Sequence, residues 1–183
     1  MLLGIAGVTG IGKSYYKDLL VKELNFEKVR IITTREIRKG EKNNEDKVFL
    51  TEAQLQKLRK EGKIAYEFKL AGNTYAYTKE ELFSNKNMVC ELHYATLTDF
   101  KRICPNLKTL YLLPRNIQDP ISKLKERNLK PEAEYARRIE LEEHYHKIMT
   151  DEGLKTKFDY MMQNDYNKET DEKVINLIKA IME

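Results

Sequence analysis

Residues 7–14 read Gly-Val-Thr-Gly-Ile-Gly-Lys-Ser and match the pattern G-x-x-x-x-G-K-[ST] at every specified position. The apolar segment Leu2–Ala6 precedes the match and the amphipathic segment Lys13–Leu24 follows it, so the motif lies where a strand leads into a helix. Glycines here let backbone N–H groups point at phosphate oxygens, and the start of the helix adds positive potential. The stretch therefore predicts a phosphate-binding loop for ATP or GTP.

Side-chain chemistry suggests roles within this loop. The Lys13 ammonium is expected to bridge the β- and γ-phosphates of the nucleotide, and the Ser14 hydroxyl is expected to ligate Mg²⁺. The motif alone does not separate a kinase from a GTPase or a motor ATPase. The chain has no Asn-Lys-x-Asp element, and no apolar run ends in the aspartate that is usual for a motor. The predicted ATP-binding residues are Gly7, Thr9, Gly10, Ile11, Gly12, Lys13 and Ser14.

Short apolar runs alternate with amphipathic stretches along the chain, which favours an α/β fold with a parallel sheet covered by helices. A length of 183 residues suits one domain. The predicted core strands are Leu2–Ala6, Val29–Ile32, Asn87–Leu92, Thr109–Leu113 and Tyr160–Gln163. The predicted helices are Lys13–Leu24, Ala95–Ile103, Pro120–Arg127, Glu132–Met149 and Glu172–Met182.

Two regions interrupt this alternation. From about residue 34 to residue 84 the sequence is charged, and it contains a predicted helix, Thr51–Glu61, that begins with a capping box. Two short alternating segments, Ile64–Leu70 and Asn73–Thr78, complete what we interpret as a small β-rich insertion. Residues 122–138 are dense in Lys, Arg and Glu, which is typical of a solvated helical surface or of a mobile lid over a phosphate site.

Composition limits the other possibilities. A hydrophobic content of 41% argues against disorder, although 34% of the residues are charged. The net charge of +4 suits polyanionic ligands but is too small to predict nucleic-acid binding. Cys90 and Cys104 have no metal-like spacing, which favours a reducing compartment. With neither a signal peptide nor a transmembrane helix recognised, a cytoplasmic location without membrane contact is expected.

A second motif follows the second predicted strand. Residues 33–41 read Thr-Thr-Arg-Glu-Ile-Arg-Lys-Gly-Glu and place Arg35 and Arg38 three residues apart. Guanidinium groups bind phosphate bidentately, and two together form a clamp. A solvated basic turn is the alternative interpretation.

With this motif the chain resembles the guanylate kinase family, whose phosphate loop is followed by T-T-R-x-x-R-x-G-E. The likeness continues, in the family's order, through Phe49 and residues 72–75, 124–127, 137–138 and 164–165. The resemblance implies one domain over residues 1–183. Its parts would be a phosphate-loop core (1–33, 85–121 and 141–183), a β-rich subdomain that binds a nucleoside monophosphate (34–84) and a helical lid (122–140).

The resemblance also implies roles for individual residues. Arg35 and Arg38 would hold the phosphate of the acceptor, and Tyr75 would add a hydroxyl. Lys47 stands where the family has a tyrosine that contacts phosphate. Arg127 and Arg138 would stabilise charge on the phosphoryl group in transfer, and Lys123 replaces a further lid arginine. The predicted catalytic residues are Lys13, Arg38, Lys123, Arg127 and Arg138.

The departures from the family pattern concentrate at positions that read guanine. The base-reading glutamate of the family falls on Tyr66, with Glu67 one residue further. Glu67 would point to the opposite face unless a bulge or a one-residue loop deletion restores the register. A serine before the T-T-R segment is replaced by Ile31 or Ile32, and a second serine or threonine by Tyr77.

The family's strand end L-D-x-D appears here as Cys-Glu-Leu-His at residues 90–93. Glu91 still offers a carboxylate to a hydrogen bond or to a water on Mg²⁺, whereas His93 cannot act as a permanent carboxylate toward a guanine N–H. The predicted acceptor-binding residues are Arg35, Arg38, Lys47, Tyr66, Glu67, Tyr75, Tyr77, Glu91 and His93.

The leading hypothesis is an ATP-dependent nucleoside monophosphate kinase that uses Mg²⁺ and converts ATP and (d)GMP to ADP and (d)GDP. One alternative is a kinase for another phosphorylated acceptor, either a non-guanine nucleotide or a phosphosugar. Another is a catalytically silent module that binds proteins, against which the intact Lys13 and Ser14 argue. The expected partners are nucleotide substrates, without nucleic acid or membrane, and the expected state is a monomer or a weak homodimer.

Overall fold

The computed structural model describes residues 1–37, 41–70, 72–126 and 129–183. These residues form nine strands: β1 Leu2–Gly7, β2 Glu27–Lys28, β3 Ile31–Thr33, β4 Lys47–Phe49, β5 Ile64–Leu70, β6 Asn73–Thr78, β7 Met88–Glu91, β8 Lys108–Pro114 and β9 Tyr160–Asn164. Their helices are α1 Lys13–Leu24, α2 Glu52–Lys60, α3 Lys79–Leu82, α4 Leu97–Ile103, α5 Gln118–Lys125, α6 Pro131–Thr150, α7 Glu152–Lys155 and α8 Lys168–Met182. A 3-10 turn at Tyr94–Thr96 precedes α4.

The larger sheet has five strands in the order β2-β7-β1-β8-β9, and every neighbouring pair is parallel. Each residue of β1 is buried, because Leu2 and Ala6 pack into one core cluster and Leu3 and Ile5 into another. Strands covered on both faces in this way are typical of parallel sheets. The carboxyl ends of the strands meet at one edge, which is where ligands bind in such sheets.

The smaller sheet has four strands in the order β4-β3-β6-β5. Strand β3 pairs parallel with β4 and antiparallel with β6, and helix α2 covers one face by burying Leu55 against Ile32 and Ala76. The capping box predicted for α2 is confirmed. The Thr51 hydroxyl accepts the Gln54 N–H at 3.3 Å, and the Gln54 side chain accepts the Thr51 N–H at 2.8 Å.

The structure divides one predicted core strand between the two sheets. Val29–Ile32 was expected to form a single strand, but Glu27–Lys28 pairs with β7 in the larger sheet and Ile31–Thr33 belongs to the smaller sheet. The N–H of Val29 still bonds the carbonyl of Val89 at 2.8 Å, whereas the N–H of Ile31 bonds the carbonyl of Asp46 at 3.2 Å. The chain therefore crosses between the sheets at Arg30.

The region predicted as a lid contains the end of α5 and the first half of α6. Both helices pack through buried side chains, Ile121 and Leu124 on α5 and Leu141, His144 and Ile148 on α6. Within the described ranges, no helix is both long and apolar enough to cross a membrane.

Close packing at Gly4 in β1 gives a test of the core. A Cβ added there would lie 2.1 Å from Leu92 Cδ1 and 2.7 Å from Leu92 Cγ. We expect Gly4→Ala to lower the free energy of unfolding by about 1–3 kcal/mol in urea titrations followed by circular dichroism, because overpacking displaces the core. Gly153→Ala is the control, since its Cβ would come no closer than 3.4 Å to another residue. Equal unfolding midpoints for the two variants would contradict this packing.

Candidate functional site

The phosphate loop leads from β1 into α1 with a backbone that glycine adopts most readily. Gly10 has φ 88° and Gly12 has φ 93°, and a Cβ on Gly10 would lie 2.6 Å from the carbonyl oxygen of Pro120. The Lys13 ammonium folds back over the loop and donates to the carbonyls of Gly7 at 2.9 Å and Val8 at 3.0 Å. It also lies 3.5 Å from Glu91 Oε1 at the end of β7. The loop thus holds the Lys13 ammonium between the ends of the strands and the start of α1.

Asn164 at the end of β9 supports this loop from beneath. Its side-chain amide donates to the carbonyl of Ile11 at 2.8 Å, and its carbonyl oxygen accepts the Tyr16 hydroxyl at 3.0 Å. The same oxygen accepts the N–H of Tyr166 at 2.9 Å, and the Tyr166 hydroxyl donates to the carbonyl of Gly10 at 3.3 Å. The sequence marked Asn164 only as one residue of the family resemblance, because its partners in the phosphate loop and in α1 lie 153 and 148 positions away.

A cleft of about 1100 Å³ connects the phosphate loop with the smaller sheet and with helices α5 and α6. The predicted site residues that line it are Gly7, Thr9, Gly10, Gly12, Lys13, Ser14, Arg35, Lys47, Tyr75, Tyr77, Glu91, His93 and Lys123. The side chain of Ile11 is buried in the core instead, so only the backbone of this residue contributes to the phosphate loop.

Arg35 and Lys47 form a cationic corner at the smaller sheet. The Arg35 guanidinium donates to the carbonyl of Glu36 at 2.7 Å and to Glu41 Oε1 at 2.5 Å, and it lies over the Phe49 ring at 5.1 Å from the centroid. The Lys47 ammonium lies 3.5 Å from the same Glu41 oxygen. These contacts fix a guanidinium toward the cleft, as a phosphate clamp requires. Arg38, the second predicted clamp residue, lies outside the described residues.

The predictions for Tyr66 and Glu67 need correction. Glu67 points from β5 toward α2, where its carboxylate accepts from Arg59 Nε at 2.7 Å and Arg59 Nη2 at 2.9 Å. Strand β5 is irregular between Ile64 and Tyr66, but this does not bring Glu67 into the cleft. The alternation of side chains along a strand places Glu67 on the far face.

Tyr66 lies on the cleft side of β5 but too deep to line the cleft. Its ring packs against Phe68 at 5.7 Å and Phe100 at 5.1 Å, and its hydroxyl donates to Asp99 at 3.3 Å. Phe68 and Leu70, which follow on the same face, line the cleft in its place.

One of the predicted lid cations, Arg138, lies away from the cleft. Lys123 lines the cleft and donates to Glu126 at 2.9 and 3.1 Å. Arg137 lines it as well and donates to Glu140 at 2.6 Å, whereas the predicted Arg138 points to solvent and donates to Glu142 at 2.9 Å. Successive residues of an α-helix lie about 100° apart, so only one of the two arginines faces the site.

Arg127, the other predicted lid arginine, lies outside the described residues. The Arg137-Arg138 pair was recognised in the sequence, but nothing in the local pattern decided which of the two arginines faces inward.

Two histidines that were not predicted to be catalytic lie close together at the wall of the cleft. The Nε2 of His144 on α6 lies 3.0 Å from the Tyr111 hydroxyl, and its ring packs on Tyr94 with centroids 4.3 Å apart. The His93 ring lies 5.7 Å from that of His144, and its Nδ1 accepts the N–H of Ala95 at 3.3 Å. Burial lowers the pKa of His144 to about 3 and also lowers the pKa of His93. Both rings are therefore neutral near pH 7.

Glu91 lies between the phosphate loop and the smaller sheet. Burial raises the pKa of its carboxyl, but the positive charges of Lys13, Lys17 and Lys47 outweigh that effect and lower the pKa overall. The backbone carbonyl of Glu91 accepts the Tyr77 hydroxyl at 2.9 Å. An ionised carboxylate consequently lies between the phosphate loop and the smaller sheet.

Comparison with known proteins places the chain among phosphate-loop kinases. A model of the protein family described as guanylate kinase matches residues 2–181. The guanylate kinase of Mesoplasma florum is 25% identical over 180 residues, which cover 95% of this chain and 59% of that relative. That of Onion yellows phytoplasma is 26% identical over 187 residues, which cover 98% of this chain and 85% of the relative.

A solved structure agrees with the fold. The crystal structure of guanylate kinase from Anaplasma phagocytophilum matches with a TM-score of 0.73 at 18% sequence identity, and the match covers 98% of this chain and 85% of that chain. The predicted fold class, a parallel sheet flanked by helices in a phosphate-loop core, is confirmed.

The neutral state of His144 generates a prediction about pH. The unfolded chain takes up a proton at His144 near pH 6.5, whereas the folded chain does so only near pH 3, so acid favours unfolding across that window. We expect the free energy of unfolding to fall by about 2 kcal/mol more between pH 7 and pH 5 in the wild type than in His144→Gln. Urea titrations at the two pH values measure the difference. An equal loss in both proteins would contradict a buried neutral His144.

Proposed function

Because this chain belongs to the guanylate kinase family, we propose that it transfers the γ-phosphoryl group of ATP to the phosphate of GMP or dGMP. The products are ADP and GDP or dGDP. The observation that carries the proposal is the single cleft that joins the phosphate loop at Lys13 to the cationic corner at Arg35. One cavity with a phosphate site at each end suits a reaction between two phosphorylated molecules.

Phosphoryl transfer depends mainly on alignment and on neutralising negative charge. The N–H groups at the start of α1 and the Lys13 ammonium serve the phosphates of ATP. Arg35 and Lys47 serve the phosphate of the acceptor. Lys123 and Arg137 approach from the lid side, which supports a role in neutralising the phosphoryl group between the two sites. In this assignment Arg137 takes the role that was predicted for Arg138.

The residues present suit Mg²⁺ as the cofactor. Mg²⁺ binds one or two protein oxygens and completes its octahedron with phosphates and water. The Ser14 hydroxyl and the Glu91 carboxylate line the same cleft and would supply those oxygens directly or through water. Across the described ranges no group of three or more His, Cys, Asp or Glu side chains is placed to hold a metal. When bound, Mg²⁺ neutralises charge on the β- and γ-phosphates.

The acceptor's base has an aromatic slot available. Phe68 and Tyr75 stack with ring centroids 5.4 Å apart and an interplanar angle of 16°, and Ile31 and Leu70 line the cleft beside them. A planar base packs favourably against such a surface. Since Nδ1 of the neutral His93 ring accepts a backbone N–H, its Nε2 carries the proton and suits a carbonyl acceptor such as guanine O6.

Other parts of the sequence-based interpretation stay predictions. They include the roles of Arg38 and Arg127, a cytoplasmic location, the absence of a nucleic-acid partner, and a monomeric or weakly dimeric state. They also include the division into core, subdomain and lid, although the structure begins the smaller sheet at Ile31.

The test is a coupled assay of ADP release with Mg-ATP and each common (d)NMP. We expect turnover with GMP or dGMP. Lys13→Met should lower kcat by about 100-fold or more, because it removes a charge that the transition state needs. Arg35→Ala should raise the KM for the acceptor by about 10- to 100-fold, as expected for the loss of a charged hydrogen bond, and should leave the KM for ATP nearly unchanged.

Arg30→Ala is the matched control for Arg35→Ala. Arg30 lies outside the cleft and donates from Nε to Glu81 at 2.7 Å, so its loss should not alter either KM. If the protein turns over only a monophosphate with another base, that base and not guanine belongs to the natural acceptor. Silence with every monophosphate would contradict the proposed function and would favour a non-nucleotide acceptor or a protein-binding module.

A further inference from the structure

Lys17 is a buried lysine that the proposed reaction leaves unexplained. It lies on α1, four residues after Lys13, and its side chain is only 4% exposed. It does not line the cleft, so it does not contact the substrates there. A buried ammonium is costly unless an anion compensates it. Its ion-pair partner is Asp46, whose Oδ1 lies 3.5 Å from the Lys17 ammonium, and its charge also helps to lower the pKa of Glu91.

Asp46 lies next to the smaller sheet, and its carboxylate faces the larger one. It directly precedes β4, and its backbone carbonyl accepts the N–H of Ile31 at 3.2 Å, which ties it to β3. Its carboxylate is approached by Lys17 from α1 and by Lys28 from β2, the latter at 2.9 Å. Burial raises the pKa of Asp46, but the positive charges of Lys17, Lys28 and Lys47 outweigh that effect and lower it overall. Asp46 is therefore an ionised contact between the two sheets.

Each residue of this ion pair lies next to one of the two phosphate sites. Residues four apart lie on the same face of a helix, so Lys17 shares a face of α1 with Lys13. At the other end, Asp46 is the sequence neighbour of Lys47, whose ammonium shares Glu41 with Arg35. A displacement of Asp46 relative to α1 would thus move the acceptor's phosphate relative to the γ-phosphate of ATP.

We propose that Lys17 and Asp46 are positioning residues whose ion pair sets the distance between the phosphate loop and the acceptor's phosphate clamp. The inference rests on the proposed function and extends it to residues outside the cleft. A misplacement of about 1 Å can cost on the order of 100-fold in rate, so a pair that fixes this distance acts on kcat.

Stability alone does not account for the pair. A buried ion pair can often be replaced by apolar side chains without loss of stability, and Tyr16 and Leu20 beside Lys17 on α1 are themselves buried. Lys28 offers Asp46 a closer cation and also pairs with Asp18 on α1. Lys17 adds a direct contact between Asp46 and the face of α1 that carries Lys13.

The kinetic test uses Lys17→Met, Asp46→Asn and their combination, with GMP or the acceptor that the wild type turns over. We expect each single variant to lower kcat by about 10- to 100-fold while the Kd for ATP stays within about threefold. The double variant should resemble Asp46→Asn, because Asp46→Asn already removes the Lys17–Asp46 pair together with the Lys28–Asp46 pair. Asp46→Glu, which keeps the charge, should recover most of the lost kcat.

Lys22→Met is the matched control, because Lys22 lies on the same helix with its side chain 79% exposed and pairs with Glu23. It should leave kcat unchanged. Unchanged kcat in folded Lys17→Met and Asp46→Asn would overturn the proposal, as would effects that add in the double variant. A parallel loss of ATP affinity would also overturn it, since Lys17 would then act on ATP binding.

A second measurement does not depend on turnover. Spin labels at Lys57→Cys on α2 and Glu172→Cys on α8 report the separation of the smaller sheet from the core, and both positions are exposed. We expect one narrow distance distribution in the wild-type background and a broader or shifted one with Asp46→Asn. An identical distribution would overturn the positioning role. If the wild type is inactive with every acceptor but Asp46→Asn still broadens or shifts its distribution, the proposed function is contradicted and the positioning role is supported.

Discussion

The hydrogen bonds of Asn164 to the phosphate loop are the interaction on which the rest of the site depends. The loop must keep its N–H groups directed inward before any phosphate arrives, and its glycines alone leave the backbone free to relax. Asn164 removes that freedom by binding Ile11 from below while Tyr16 and Tyr166 bind Asn164 in turn. The parallel sheet makes this possible, because it brings the carboxyl ends of β1 and β9 to one edge.

Most of the cations that line the cleft are paired with carboxylates. Lys13, Arg35, Lys123 and Arg137 each lie beside one: Glu91, Glu41, Glu126 and Glu140, respectively. Like charges gathered in one cavity would repel each other, and these carboxylates offset that repulsion while no substrate is bound. Phosphate oxygens present the same kind of acceptor to the same donors. Substrate binding on this account exchanges one anionic partner for another, which requires small side-chain movements.

The sequence predicted the features that local spacing determines. The bounds of α1, the capping box of α2 and the parallel strands of the core follow from short motifs and from hydrophobic periodicity. It did not predict that residues 27–33 divide between two sheets, since an apolar run such as Val29–Ile32 suits either sheet. The choice between Arg137 and Arg138 depends on how α6 is rotated against the core, and the pairing of Lys17 with Asp46 depends on contacts between distant segments.

The central claim is that one cleft holds both phosphorylated substrates at once with their phosphates adjacent. The most direct test is titration calorimetry with an adenosine and a guanosine joined by five phosphates, compared with ATP and GMP separately. We predict one molecule bound per chain, with an affinity at least about 100-fold higher than that of either nucleotide, because one binding event then occupies both sites. An affinity no higher than that of ATP, or two molecules bound per chain, would contradict the claim.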